Sequence, residues 1–135
     1  MFTSIIENYE KHDLPLDTMW NDLDYMKQKA IFTIDETAYP SNTLKSLLEK
    51  KNLHWIPLID VGVSLLDRES IDEGKRLDVF LKSVNNPKEY YIGEVWPGKV
   101  HFVDYLHPNA SEFWKKQLNR LYQKVPFSGV WLDMN

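Results

Sequence analysis

Cysteine is absent from the 135 residues, which removes disulfides and thiolate metal sites from consideration but says nothing of the compartment. No apolar run approaches the roughly 20 residues that a membrane-spanning helix needs. The opening MFTSIIENYEKHD lacks the basic flank and long apolar stretch of a signal peptide. No membrane segment is therefore expected, and localisation is left open. Positive charge is not in excess: 16 Lys and Arg stand against 20 Asp and Glu, spread along the chain for a net charge of -4. That leaves no basic stripe for a polyanion to follow, and nucleic acid is excluded as a partner class. His12, His54, His101 and His107 show no ligand spacing, so neither a metal nor another cofactor is expected. The sequon Asn109-Ala110-Ser111 is the kind of triplet that also arises by chance. What the chain does hold is apolar material, 43% hydrophobic with seven Tyr, six Phe and five Trp, enough for one globular core.

The segment Ser4 to Lys11 spaces Ile5, Ile6 and Tyr9 as a helix does, and Pro15 closes it. Leu16 to Met26 reads as a strand region in which Asp22 and Asp24, two apart, project to one face. Pro40 and Ser41 open a second helix with Leu44, Leu47 and Leu48 as its stripe, ending near Asn52. Trp55 to Val63 (WIPLIDVGV) is a nearly continuous apolar run of the kind covered on both faces, as parallel strands are. Pro57 is awkward there, because it cannot donate to a ladder. From about residue 64 to 105 the composition turns charged and aromatic, which predicts an excursion with a helix at Ile71 to Ser83 and a hairpin from Tyr90 to Tyr105 folded at Pro97-Gly98. Ser111 to Lys124 carries Phe113, Trp114, Leu118, Leu121 and Tyr122 on one stripe, with Lys115, Lys116, Arg120 and Lys124 read as the solvated face. Phe127 to Met134 reads as a last strand, with Trp131 and Asp133 facing one way and Val130 and Leu132 the other.

Helix, strand, helix, strand, excursion, helix, strand is the alternation of a parallel sheet with right-handed crossovers. Each strand carries an Asp near its end: Asp24, Asp60 and Asp133. Carboxylates at the carboxyl ends of consecutive parallel strands are what a (β/α)8 barrel uses to assemble an active site, and eight units need about 250 residues. The fold class is therefore α/β, a partial (β/α)8 TIM barrel of about three parallel strands with helices and an inserted loop region. A doubly wound sheet would read much the same.

Several blocks in order resemble glycoside hydrolase family 31, the α-glucosidases, α-xylosidases and glucosidase II. Pro15 to Met26 (PLDTMWNDLDYM) resembles the family's second barrel strand, continued by Phe32-Thr33 and Tyr39-Pro40. Leu58 to Val63 (LIDVGV) resembles the third strand, and Gly74, Phe80, Tyr91, Gly93 and Trp96-Pro97-Gly98 fall in the order of the loop that follows. WLDMN, Trp131 to Asn135, resembles the nucleophile strand. The resemblance implies that residues 1–135 are part of a catalytic barrel of a retaining α-glycosidase, acting on terminal α-linked sugars through a covalent glycosyl-enzyme intermediate. It implies Asp133 as the nucleophile. It assigns Asp22 to sugar hydroxyls, with Leu23 beside it, and Trp96 to a wall of the same subsite, and it adds Trp131, Met134 and Val63 to the pocket, with Asp60 near them. Asp24 is expected to support its neighbours.

In the family the general acid sits on a later strand, and the Glu that usually follows the nucleophile motif would come directly after Asn135; neither is among the 135 residues. The 135 residues alone are thus expected to be inactive, because leaving-group protonation needs a second carboxyl group. The expected partners are a carbohydrate substrate and the remaining barrel of a parent protein. The family alone suggests a lysosomal or endoplasmic-reticulum setting. Asp60 is followed by Val61 where the family usually has Pro or Ala, and His101 to Tyr105 replaces a segment that usually holds a Pro before the Asp. The alternative reading is a non-catalytic relic or a carbohydrate-binding subunit that keeps half a pocket.

Overall fold

The structure is a computed structural model and describes residues 2–134. Helix α1 (Phe2–Lys11) buries Phe2 and Ile6. Strand β1 (Thr18–Asn21) is followed by α2 (Ser41–Lys51), which buries Leu44 and Leu48 and closes at Asn52 in the left-handed region with φ 50. Strand β2 (His54–Ile59) runs parallel to β1 with Trp20 opposite Ile56, and the last strand, β6 (Trp131–Leu132), runs parallel to its other side with Leu58 opposite Trp131. The sheet order is β1-β2-β6. β2 is central, and the sheet does not close on itself. The architecture is a parallel α/β sheet with helices between its strands, one sector of a barrel.

The central position of Pro57 has a simple resolution. Residues along a parallel strand present their backbone groups to alternate neighbours. The His54 amide bonds Asp17 on the β1 side, and the Trp55 carbonyl accepts from Ser128 on the other. Pro57 therefore turns its missing donor toward β6, where pairing begins only one residue later at Leu58. The ladder loses nothing.

WIPLIDVGV is not one strand. The chain leaves the parallel sheet at Asp60-Val61 and re-enters pairing as β3 (Gly62–Ser64), antiparallel to β5 (Gly98–Phe102), which pairs in turn with β4 (Gly93–Val95). A run that is apolar throughout carries no period from which such a change of sheet can be read. The hairpin folds where Pro97 and Gly98 indicate, with Val95 opposite Gly98 and Gly98 at φ 90. Helix α3 (Arg68–Arg76) starts earlier and stops sooner than the helix expected at 71–83, because Asp78 takes φ 55 and turns Val79 and Phe80 into the core. Helix α4 (Ala110–Lys124) buries Phe113 and Leu121, whereas Tyr122 of the expected stripe stays exposed.

Arg120 does not belong to a solvated face. Its guanidinium reaches Asp67 at 2.5 Å and Glu69 at 2.8 Å, with the Arg120 and Asp67 side chains only 17% and 10% exposed. Asp67 also accepts from the Ser70 hydroxyl, whose oxygen in turn accepts from Arg120 and lies 3.0 Å from the Gln117 side-chain amide, so α3 and α4 are joined by a polar seam. The main core is aromatic and aliphatic. Tyr25, Trp55, Phe80, Phe113, Ile59 and Leu121 are fully buried within one cluster.

Candidate active site

Side chains of parallel strands alternate faces, and residues paired across the ladder share one. The registers Trp20 to Ile56 and Leu58 to Trp131 thus put Thr18, Trp20, Ile56, Leu58 and Trp131 on the same face of the sheet. Thr18, Trp20, Ile56 and Trp131 line an open apolar groove of about 390 Å³. The Trp20 and Trp131 indoles meet edge to face across β2, with ring centroids 5.2 Å apart. Continued past the strand ends, the same alternation assigns Asp22, Asp60 and Asp133 to this face. Each follows the last residue of its strand. The carboxyl ends of β1, β2 and β6 therefore carry one carboxylate apiece above a groove walled by tryptophan.

The three carboxylates differ in environment. Asp22 is exposed and caps the 3-10 turn Leu23–Tyr25, its Oδ1 accepting from the Leu23 amide at 2.7 Å. The strand ends at Asn21, so Asp22 and Asp24 do not share a strand face as their spacing suggested. Asp24 lies inside the turn and is exposed. Asp133 is half-buried, with its Oδ1 accepting from the Met134 amide at 3.0 Å. Its own amide lies 3.5 Å from the Ile59 carbonyl. Asp60 is only 2% exposed. Its Oδ1 accepts from the Val61 amide at 2.6 Å, and its Oδ2 is buried without a hydrogen-bond partner. Burial pushes the Asp60 carboxyl above the ordinary value of 3.8; the Val61 amide pulls it partly back, and the negative charge of Asp133 adds to the rise.

The remaining residues singled out from the sequence fall in different places. Trp131 lines the groove and Met134, at φ 58, is exposed beside Asp133. Leu23 is half-buried and packs against the core. Trp96 sits exposed on the β4–β5 turn with the Lys29 ammonium 5.6 Å from its ring, which brings the hairpin beside the loop that follows β1. Val63 is fully buried in β3 opposite His101 and presents no surface in this structure. Asn135, the last residue of the WLDMN block, lies outside the described residues. Trp20 lies outside the residues that the resemblance assigns to the site. Its signal was available: it lies two residues before Asp22, on the same strand face.

The model of the glycosyl hydrolases family 31 TIM-barrel domain matches residues 1–135. The chain is 41% identical over 140 residues to a lysosomal acid alpha-glucosidase of Tetrahymena pyriformis, covering 100% of this chain and 15% of that protein. It is 36% identical to Glucoamylase 1 of Candida albicans, over 98% of this chain and 15% of the relative. Among solved structures, the endoplasmic-reticulum glucosidase II complex of catalytic subunit and regulatory-subunit binding domain superposes with a TM-score of 0.85 at 25% identity, over 98% of this chain and 15% of that one. The chain thus spans about 15% of the length of these relatives.

Proposed function

This chain belongs to glycoside hydrolase family 31, and on that premise we propose that it supplies the nucleophile side of a retaining α-glycosidase, with Asp133 as the nucleophile. In the first step a carboxylate oxygen of Asp133 bonds to the anomeric carbon as the bond from that carbon to the leaving-group oxygen breaks. The leaving oxygen takes a proton from a general acid on a later strand of the protein that carries this chain. Water then attacks the same carbon, returns a proton to that group and frees Asp133, so the α configuration is kept.

The observation that carries this reading is the position of Asp133. It stands at the carboxyl end of a parallel strand, half-buried and backbone-bonded, two residues on from Trp131, which lines the groove with Trp20. A carboxylate oriented by its neighbour's amide at a strand end has less orientation to lose on attacking carbon than a freely rotating one. The groove offers flat apolar surface for the CH groups of a sugar, and exposed Asp22 offers acceptor oxygens for its hydroxyls. Asp22, Leu23, Trp96, Trp131 and Met134 contact the sugar in this reading, and Val63 supports the pocket from the core.

Nucleophile exchange tests it. In the protein that carries this chain, Asp133→Gly should lower turnover of an activated α-glucoside by about 10^4-fold or more. Added azide should restore turnover and yield the β-glycosyl azide, because azide fills the space the carboxylate left. A substitution without loss, or a rescued product of α configuration, would contradict the assignment. A second reading, sugar binding without hydrolysis, has the exposed rings of Trp20 and Trp96 in its favour. It predicts that the wild-type protein binds α-glucosides and never releases the aglycone.

A further inference from the structure

Asp60 is the one buried carboxylate at the strand ends, and the reaction just described gives it no task. We propose that Asp60 is a positioning residue for Asp133, entering the site as the neutral carboxyl of the pair and lending its hydroxyl to the Asp133 carboxylate. The inference rests on the nucleophile reading above and adds to it the device that aims the nucleophile.

Geometry supports it first. Ile59 pairs with Leu132, so Asp60 and Asp133 leave neighbouring strands at the same level, and neighbouring strands lie about 4.8 Å apart. Oδ1 of Asp60 already accepts the Val61 amide. Oδ2 has no donor and no exposure to water. An ionised oxygen in that place is costly, whereas a protonated one needs only an acceptor. Asp133 has one oxygen engaged by the Met134 amide and a second for that hydrogen bond.

Asp60, at 2% exposure, is the carboxyl that burial favours in its neutral form, and the negative charge of Asp133 acts in the same direction from the neighbouring strand end. The other polar groups around Asp60 do not reverse this. Asp22, at the end of β1, is a further acid. The Tyr25 hydroxyl is spent on the Leu58 carbonyl and kept neutral by burial. His101, opposite Val63 on β5, is held at the Tyr91 carbonyl, and burial pushes its imidazole below the usual value.

The experiment compares Asp60→Asn and Asp60→Val in the protein that carries this chain, reading kcat and KM separately together with the rate at which a 5-fluoroglycosyl fluoride labels Asp133. Asparagine is neutral and still donates, so labelling should stay within roughly threefold of wild type. Valine fills the space without a donor, and kcat and labelling should fall by about 100-fold while KM moves little. If asparagine is as damaging as valine, Asp60 works as an anion and the proposal is overturned; if both label at the wild-type rate, Asp60 has no positioning role. Should the valine variant not fold, the asparagine rate and an NMR titration of the Asp60 carboxyl carbon decide. A protonated signal at about pH 5 supports the proposal and an ionised one ends it. Absence of label on wild-type Asp133 would instead count against the nucleophile reading, and the NMR titration would still report which carboxyl holds the proton.

Discussion

The Tyr25 hydroxyl donates to the Leu58 carbonyl at 2.7 Å, 33 residues away, and both residues are buried. This bond ties the 3-10 turn that begins at Asp22 to the end of β2, just before Asp60. The phenol adds a tertiary tie to the ladder that already pairs β1 with β2 as far as Asn21 and Pro57.

Tyr25→Phe removes that donor and leaves the Leu58 carbonyl without it. A lost buried hydrogen bond with an orphaned partner costs about 1–3 kcal/mol. Urea unfolding of the two proteins should show a loss in this range with an unchanged slope.

Gly74→Ala tests packing between α3 and Phe80. In an open helix this change gains up to about 1 kcal/mol. Here a Cβ at Gly74 would lie 2.1 Å from the Phe80 ring, and Phe80 is wedged against Phe113, Tyr90 and His101. Overpacking of a filled core costs roughly 1–3 kcal/mol and prevails. The melting temperature should drop rather than rise.

Arg120→Met and Asp67→Asn, alone and together, measure the seam between α3 and α4. Each single change strands a part-buried partner, so the pair should show a coupling of about 2 kcal/mol in a double-mutant cycle. The double variant should be more stable than the sum of the singles predicts. Simple additivity would mean that the ion pair contributes nothing beyond its parts.

Glu73 gives a pH signature. Hydrogen bonds from Arg76 and Lys116 hold its carboxyl down from 4.5 to about 2. A depressed carboxylate contributes stability that is complete above its unfolded value and is lost as the pH falls through the folded one. Between pH 4.5 and 2 the wild type should lose stability more steeply than Glu73→Gln, and near neutrality the slopes should match. Urea midpoints across that range check it.

The features legible in the sequence were those with a local cause. Pro40 and the leucines of α2, Phe113 and Leu121 of the α4 stripe and the turn at Pro97-Gly98 each act within a few residues, and each falls where the sequence indicates. Alternation of helix and strand gave the parallel sheet. The features that were hidden depend on distant partners. Arg120 looks like any helix-surface cation until Asp67 arrives from 53 residues away. The change of sheet just after Asp60 is hidden, because the apolar run continues through it without a break. Asp22 and Asp24 were placed on a strand that ends at Asn21, since a short 3-10 turn shares the spacing. At the candidate site, Asp133 and Trp131 were read from a motif, whereas the burial of Asp60 and the Trp20 contact with Trp131 came only with the fold.

The central claim is tested most directly by incubating the protein that carries this chain with a 5-fluoroglycosyl fluoride and mapping the modified peptide by mass spectrometry. The account predicts a single added sugar, on the peptide that contains Trp131-Leu132-Asp133-Met134 and at the Asp133 carboxylate. A sugar found on Asp22 or Asp60, or no covalent adduct from a protein that turns over α-glucosides, would contradict it.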